Sequence, residues 1–245
     1  MTRLFEELDY QPTPIGALTL RRRHDFALGK EVYEIKLGEE FLMSSAFTAS
    51  EIALADLGLA PLAGDQLDVV VGGLGLGYTA RAVLQNTNVR SLIVVDMLAA
   101  VIGWHTSGLL PLGQEITSDP RCTLVEGDFF EMARNAQGFD PSRPGRQFDA
   151  ILADIDHSPE ALLDARSTSF YRPEGLRELS AHLKPGGLFG LWSNDKPDPA
   201  FTRRLQDVFA GASAEAVTFD NPLQDAAFTQ TVYLARKAAA PSPAA

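Results

Sequence analysis

The chain has 245 residues, 45% of them apolar, and carries a formal net charge of −11 with a pI near 4.8. That length suits one α/β domain with a small appendage. The acidity argues against nucleic acid as the main partner, because phosphate binding needs a cationic patch, and the single cysteine, Cys122, excludes an internal disulfide framework and a cysteine-based zinc site.

In chain order, residues 1–16 contain Pro12 and Pro14 and read as an irregular lead-in. Stretches 17–21, 31–36 and 39–43 alternate or carry β-formers, with a tight turn at Gly38, and predict a small β-meander. Arg21, Arg22 and Arg23, next to Asp25, read as a solvated strand end rather than a binding surface. Residues 44–57 predict a helix that Thr48 or Ser50 would cap.

The stretch 68–96 organises the rest of the chain. Val69, Val70 and Val71 form a short apolar run that predicts a buried strand. Gly72, Gly73, Gly75 and Gly77 come at once after it, then a helical pattern over 78–85, then a second apolar strand over 92–95 ending in Asp96. Glycines let a backbone turn sharply and approach a ligand closely. A carboxylate at a strand's C-terminal end can accept hydrogen bonds from ribose hydroxyls. Tyr78 stands where a dinucleotide fingerprint wants its third glycine, which weakens an NAD reading. G-x-G-x-G with an acid on the second strand resembles the S-adenosylmethionine type of Rossmann fold instead.

Downstream, 97–110 predicts a helix broken by Gly103, and 121–125 a third strand, in whose apolar pattern Cys122 reads as a core thiol. Gly127 and Asp128 come next, then a helix over 129–135 and a polar loop over 138–146. Residues 148–153 predict a fourth strand ending in Asp154, Asp156 and His157. A helix over 173–183, a sharp turn at 184–187, a fifth strand over 188–192 and a helix over 199–210 succeed it. Segments 214–219 and 229–235 predict a closing antiparallel pair, and the Ala- and Pro-rich tail has too little to bury and is expected to be disordered. The fold class predicted is α/β: a Rossmann-like, mostly parallel sheet of methyltransferase type with a small N-terminal β-meander. The division expected is 1–46 meander, 47–237 nucleoside-binding catalytic domain and 238–245 tail. No run is long enough to span a membrane, and no signal-peptide apolar region follows Met1, so a cytoplasmic protein without a membrane partner is expected.

Ligands of such sheets bind beyond the strands' carboxyl ends. Gly73, Asp96, Asp128 and Asp154 all follow strand ends, so they are expected to line one crevice. His157, on a strand-end loop, is a candidate general base near neutral pH. Trp104 and His105 are expected to pack or line the pocket, and Trp192, Ser193, Asn194 and Asp195 to close its acceptor side or form a surface loop. His24 and His182 have no partner pattern and are expected to be solvated.

From the meander to Ser193, over most of the chain, the pattern resembles the spermidine synthase (polyamine aminopropyltransferase) family. The resemblance rests on Val32-Tyr33-Glu34 with Phe41-Leu42, on 47–62, on 70–77 and 94–96, on Asp119-Pro120-Arg121 with Gly127-Asp128, on 148–154 and on 183–187. It implies a donor site built from Gly73, Gly75, Gly77, Asp96, Met97, Asp128 and Phe129, with Asp96 on the ribose, Asp128 on the adenine amino group and Phe129 near the ring. It further implies that Asp154 orients the attacking amine and helps remove its proton, with Asp156 and His157 beside it as further catalytic candidates. The co-substrate would be decarboxylated S-adenosylmethionine, or S-adenosylmethionine itself, without a metal. The acceptor would be a small amine and the assembly a homodimer.

Three positions depart from the family pattern. Gly75 replaces an aspartate that binds the donor's amine. His157 replaces a second acid. Ala49 and Ser50 stand where a tyrosine and its neighbour would, although Glu51 remains. Methyl transfer from S-adenosylmethionine to a small molecule and a non-catalytic nucleoside-binding protein are therefore the alternatives to aminopropyl transfer.

Overall fold

A computed structural model describes residues 4–13, 15–222 and 225–240. The chain opens with four antiparallel strands in sequential order, β1 (Phe5–Thr13), β2 (Gly16–Asp25), β3 (Lys30–Leu37) and β4 (Glu40–Ser44). Residues 5–13 are thus a strand where composition predicts an irregular lead-in. Pro12 is compatible with this because β1 is an edge strand and its backbone need not donate on the outer side. Pro14 and residues 1–3 of that lead-in lie outside the described residues. The arginine cluster on β2 is ion-paired: Arg21 and Arg23 both reach the buried Glu34, at 2.7 and 2.9 Å, and Arg22 reaches Glu6 at 2.7 Å.

Helix α1 (Ala49–Leu59) starts later than predicted, because Ser44 is still paired with Glu34 and Ser45 N–H donates to the Tyr33 carbonyl at 2.9 Å. Then come β5 (Leu67–Gly72), α2 (Tyr78–Gln85), β6 (Val89–Asp96), α3 (Ala99–Thr106), α4 (Gly113–Ser118), β7 (Cys122–Glu126), α5 (Phe129–Arg134) and β8 (Phe148–Ala153). A 3-10 turn (Ala165–Ser169), α6 (Pro173–Ala181), β9 (Leu183–Ser193), α7 (Pro199–Gln206), β10 (Gly211–Asn221) and β11 (Ala226–Arg236) complete the chain. α4 and the 3-10 turn carry no sequence signal. The expected turn at 184–187 is a bulge inside β9: Leu183 pairs with Phe148 and Leu188 with Ala150, and the residues between loop out. Of the tail, 238–240 have no regular structure and 241–245 lie outside the described residues.

Strands β5 to β11 form one seven-stranded sheet in the order β10-β11-β9-β8-β5-β6-β7, with β5 to β9 parallel and the last two strands antiparallel. Every residue of β5 is buried. Val69 and Val71 join one apolar cluster and Val70 another, the alternation of a strand covered on both faces. The first cluster continues through Leu54 of α1 into Leu18, Leu20 and Ile35 of the meander. The second is rich in aromatics, among them Phe129, Phe139, Phe148 and Phe170. His182, expected to be solvated, is buried beside Phe139 and hydrogen-bonded to the Ala133 carbonyl at 3.1 Å. His24 is half-buried against Phe26.

From β5 the chain winds outward to β6 and β7, then returns to β8 on the other side of β5. This reversal is a topological switch point, where strand ends splay and leave a crevice. The ends of β5 and β8 meet there, with Asp154 N–H donating to the Gly72 carbonyl at 2.8 Å and Gly73 N–H to the Val95 carbonyl at 2.8 Å.

Candidate active site

At that switch point lies a cavity of about 450 Å³. Gly73, Gly75, Asp96, Met97, Asp128 and Phe129 line it, and so do Asp154, Asp156 and His157. Gly77 does not. It precedes α2 and faces Ile116 and His105 behind the loop. Trp104 and His105 are also behind the wall: Trp104 Nε1–H donates to Asp9 Oδ2 at 2.6 Å, and His105 Nε2 meets the Gly75 carbonyl at 2.9 Å. Burial holds the His105 pKa below its ordinary value, so the neutral ring donates from Nε2. Trp192 and Asn194 line the cavity, whereas Ser193 is buried and neither it nor Asp195 reaches the lining.

The glycine loop is shaped by close approaches. Gly73 has φ +90°, and a Cβ there would stand 2.1 Å from the Asp154 carbonyl oxygen, so no side chain fits. Gly75 has φ +46°, and a Cβ there would lie 2.6 Å from Met43 Sδ. The same sulfur accepts the Leu76 N–H at 3.1 Å. A thioether from β4 therefore fills the space where the family pattern places an aspartate side chain.

Asp96, at the end of β6, accepts Leu74 N–H on Oδ2 at 2.9 Å and Leu98 N–H on Oδ1 at 2.8 Å. Each oxygen keeps a lone pair for a ligand hydroxyl. Burial raises its pKa and the backbone donors oppose that rise. The Leu98 bond also holds 97–98 out of the helix, so α3 starts later than the sequence predicts. Asp128 caps α5, its Oδ1 accepting Phe130 N–H at 2.9 Å and Glu131 N–H at 3.2 Å. Phe129 is 3% exposed, its ring packed on Gly72 and stacked with Phe139 at 5.0 Å.

Asp154 Oδ2 accepts the Thr79 hydroxyl at 2.6 Å. Burial pushes its pKa up to about 6. Glu51, at the start of α1, is pushed up to about 7 by burial and by the charge of Asp154. Ser50 Oγ lies 2.7 Å from Glu51 Oε2 and 2.6 Å from Gln230 Oε1, and it accepts the Trp192 Nε1–H at 2.8 Å. A hydroxyl has one proton to give. With the Gln230 amide nitrogen turned to Asn194 Oδ1 at 2.9 Å, a protonated Glu51 donating to Ser50 satisfies every oxygen. Asp156 is 2% exposed and fully engaged: Leu163 N–H at 2.8 Å, Ser167 Oγ at 3.2 Å and Tyr171 Oη at 2.7 Å donate to it. His157 Nε2 meets Glu40 Oε1 at 3.0 Å, which ties the β8 loop to the meander.

Sequence reasoning did not find Met43, Thr79, Gln230 or the aromatic wall of Phe47, Phe219 and Phe228. These come from elements whose meeting depends on distant pairing. Glu51 was legible only as a retained family position. Among the described residues, no group of three or more His, Cys, Asp or Glu is arranged to hold a metal ion. No helix among them is long and apolar enough to cross a membrane.

No protein-family model matches the chain. Among curated proteins it is similar to polyamine aminopropyltransferase 2 of Pseudomonas aeruginosa, at 29% identity over 149 residues, covering 58% of this chain and 40% of the relative. It is also similar to the polyamine aminopropyltransferase of Aeropyrum pernix, at 28% over 128 residues, covering 52% and 38%. The chain thus spans less than half the length of the curated relatives it matches. Among solved structures, a spermidine synthase in complex with the transition-state analogue AdoDATO superposes with a TM-score of 0.70 at 18% identity, over 96% of this chain and 75% of that one. Spermidine synthase from Thermotoga maritima gives 0.67 at 19% identity, over 96% and 74%. The fold is that of spermidine synthase, and the resemblance to this family read from the sequence holds.

Proposed function

We propose that the chain is a spermidine synthase-like transferase that moves an aminopropyl group from decarboxylated S-adenosylmethionine to a small amine. The observation that carries this reading is the convergence of Gly75, Asp96, Asp128 and Asp154 on one cavity at the switch point. Asp96 takes the ribose hydroxyls on its spare lone pairs. Asp128, with only Oδ1 engaged in capping, turns Oδ2 to the adenine amino group.

An ammonium has no lone pair, so the acceptor must lose a proton before it attacks. The amine nitrogen then bonds to the propyl carbon beside the sulfonium. The carbon–sulfur bond breaks with its electron pair going to sulfur, and neutral methylthioadenosine leaves. Asp154 receives the amine's proton, and its raised pKa of about 6 suits a base working near neutrality. Its bond to Thr79 fixes the oxygen that faces the amine. Asp156 positions the loop that carries His157, and His157 with Glu40 closes the mouth. The cytoplasmic setting, the homodimer and the division of the chain into meander and catalytic domain belong to the same proposal.

Methyl transfer from the intact donor is the second reading. The observation that favours it is Met43 standing over Gly75 in place of an amine-binding carboxylate. Incubation with the decarboxylated donor and a panel of amines separates the two. Methylthioadenosine is the expected product. Its absence over the whole panel, with tighter binding of the intact donor by calorimetry, would count for methyl transfer.

A further inference from the structure

The cavity extends along the sheet, and its two ends differ in chemistry. Towards β6 and β7 lie Asp96 and Asp128. Towards β9, β11 and β10 the wall is mainly aromatic: Phe47, stacked on Phe219 with ring centroids 5.7 Å apart, Phe228 beside Phe219 at 6.0 Å, and Trp192, with the uncharged amides Asn194, Asn221 and Gln230 among them. The Trp192 N–H is used on Ser50, which leaves its ring as an apolar surface. Phe41 and Leu42 of the meander extend this wall.

The far ammonium of a diamine is held best by a second carboxylate, because a cation against a mainly aromatic wall is costly and the Gln230 amide there is engaged with Ser50 and Asn194. Among the described residues that line the cavity, the acids other than the Asp154–Glu51 pair are already assigned. Asp156 has both oxygens bonded. Asp164 is paired with Arg166 and Glu131 with Arg134. Asp96 and Asp128 belong to the proposed nucleoside end, and Glu40, outside the lining, meets His157. With Glu51 protonated on Ser50 and Asp154 bonded to Thr79, the two buried carboxyls together offer one negative charge and a single cation site.

We propose that the acceptor is a monoamine with an apolar, aromatic-sized body, its one ammonium on Asp154 and Glu51 and its body against Phe47, Phe219, Phe228 and Trp192. This rests on the proposed function, which assigns Asp96 and Asp128 to the nucleoside and gives the amine its reaction.

The test is calorimetric titration of octylamine, 2-phenylethylamine and 1,7-diaminoheptane into the protein, with and without methylthioadenosine. Octylamine and 1,7-diaminoheptane match in length and differ at the far end, methyl against ammonium. Octylamine is expected to bind at least ~10-fold tighter than the diamine. Equal or tighter binding of the diamine, or no amine binding at all, would overturn the proposal. Phe228→Glu places a second carboxylate on the wall and is expected to swing the preference ~10-fold towards the diamine. Phe219→Glu, on the neighbouring strand, is the second variant should the first misfold by circular dichroism. An unchanged preference in a folded variant also overturns the assignment. Octylamine binding without methylthioadenosine release from the decarboxylated donor would remove the transfer reading and uphold the acceptor class.

Discussion

Asp154 and Glu51 line the cavity, and the charge of one acts on the other. Each is pushed up by burial, and Glu51 further by the charge of Asp154. Replacing Asp154 by Asn removes the proposed proton acceptor while keeping a partner for Thr79. The expected result is a ~10²- to 10⁴-fold fall in kcat with methylthioadenosine affinity retained, read by single-turnover kinetics and calorimetry. The same pair makes stability depend on pH. A carboxyl whose pKa is higher in the folded than in the unfolded chain stabilises fully below its unfolded pKa and loses that contribution as pH rises through its folded one. The window here runs from about 4.5 to about 7 for Glu51. Between pH 5 and pH 8 the wild-type protein is expected to lose ~1–3 kcal/mol relative to Glu51→Gln. Denaturant melts at the two pH values measure this, and parallel pH profiles of the two proteins would contradict it.

At the scale of elements, the glycine loop and β4 act as one unit. Asp at position 75, the residue the family pattern expects, would meet Met43 Sδ and a backbone at φ +46°. Gly75→Asp is expected to cost ~1–3 kcal/mol, and Met43→Ala in the same chain to recover at least ~1 kcal/mol of it, a coupling that a double-mutant cycle reads directly. The pair also marks the limit of what the sequence discloses. The strand–glycine–helix–strand unit was legible because its signals are local: α2 and β8 have the bounds their residues predict. Asp96, Asp128 and Asp154 were legible because strand ends of a parallel sheet share one rim. The strand β1 was not, because its pairing with β2 outweighs the irregularity that Pro12 suggests. Nor was Met43 over Gly75, or Gln230 beside Ser50, because each contact joins residues set together only by the finished topology.

Over the whole molecule, side-chain hydrogen bonds fasten the meander to the part of the chain built on the seven-stranded sheet. His157–Glu40 makes one tie and Asp9–Trp104 the other. Trp104 is 2% exposed, and Asp9→Ala would leave its indole N–H buried without an acceptor. A loss of ~1–3 kcal/mol is expected in urea unfolding, and Asp9→Asn, which keeps an oxygen acceptor, should recover most of it. Aminopropyl transfer at this site requires that the cavity so enclosed hold an adenosine in a single orientation. A crystal structure with methylthioadenosine bound tests this most directly. It is expected to show the ribose on Asp96, the adenine amino group on Asp128 and the sulfur facing Asp154. Methylthioadenosine seated elsewhere, or with its sulfur turned from Asp154, would contradict the proposed transfer.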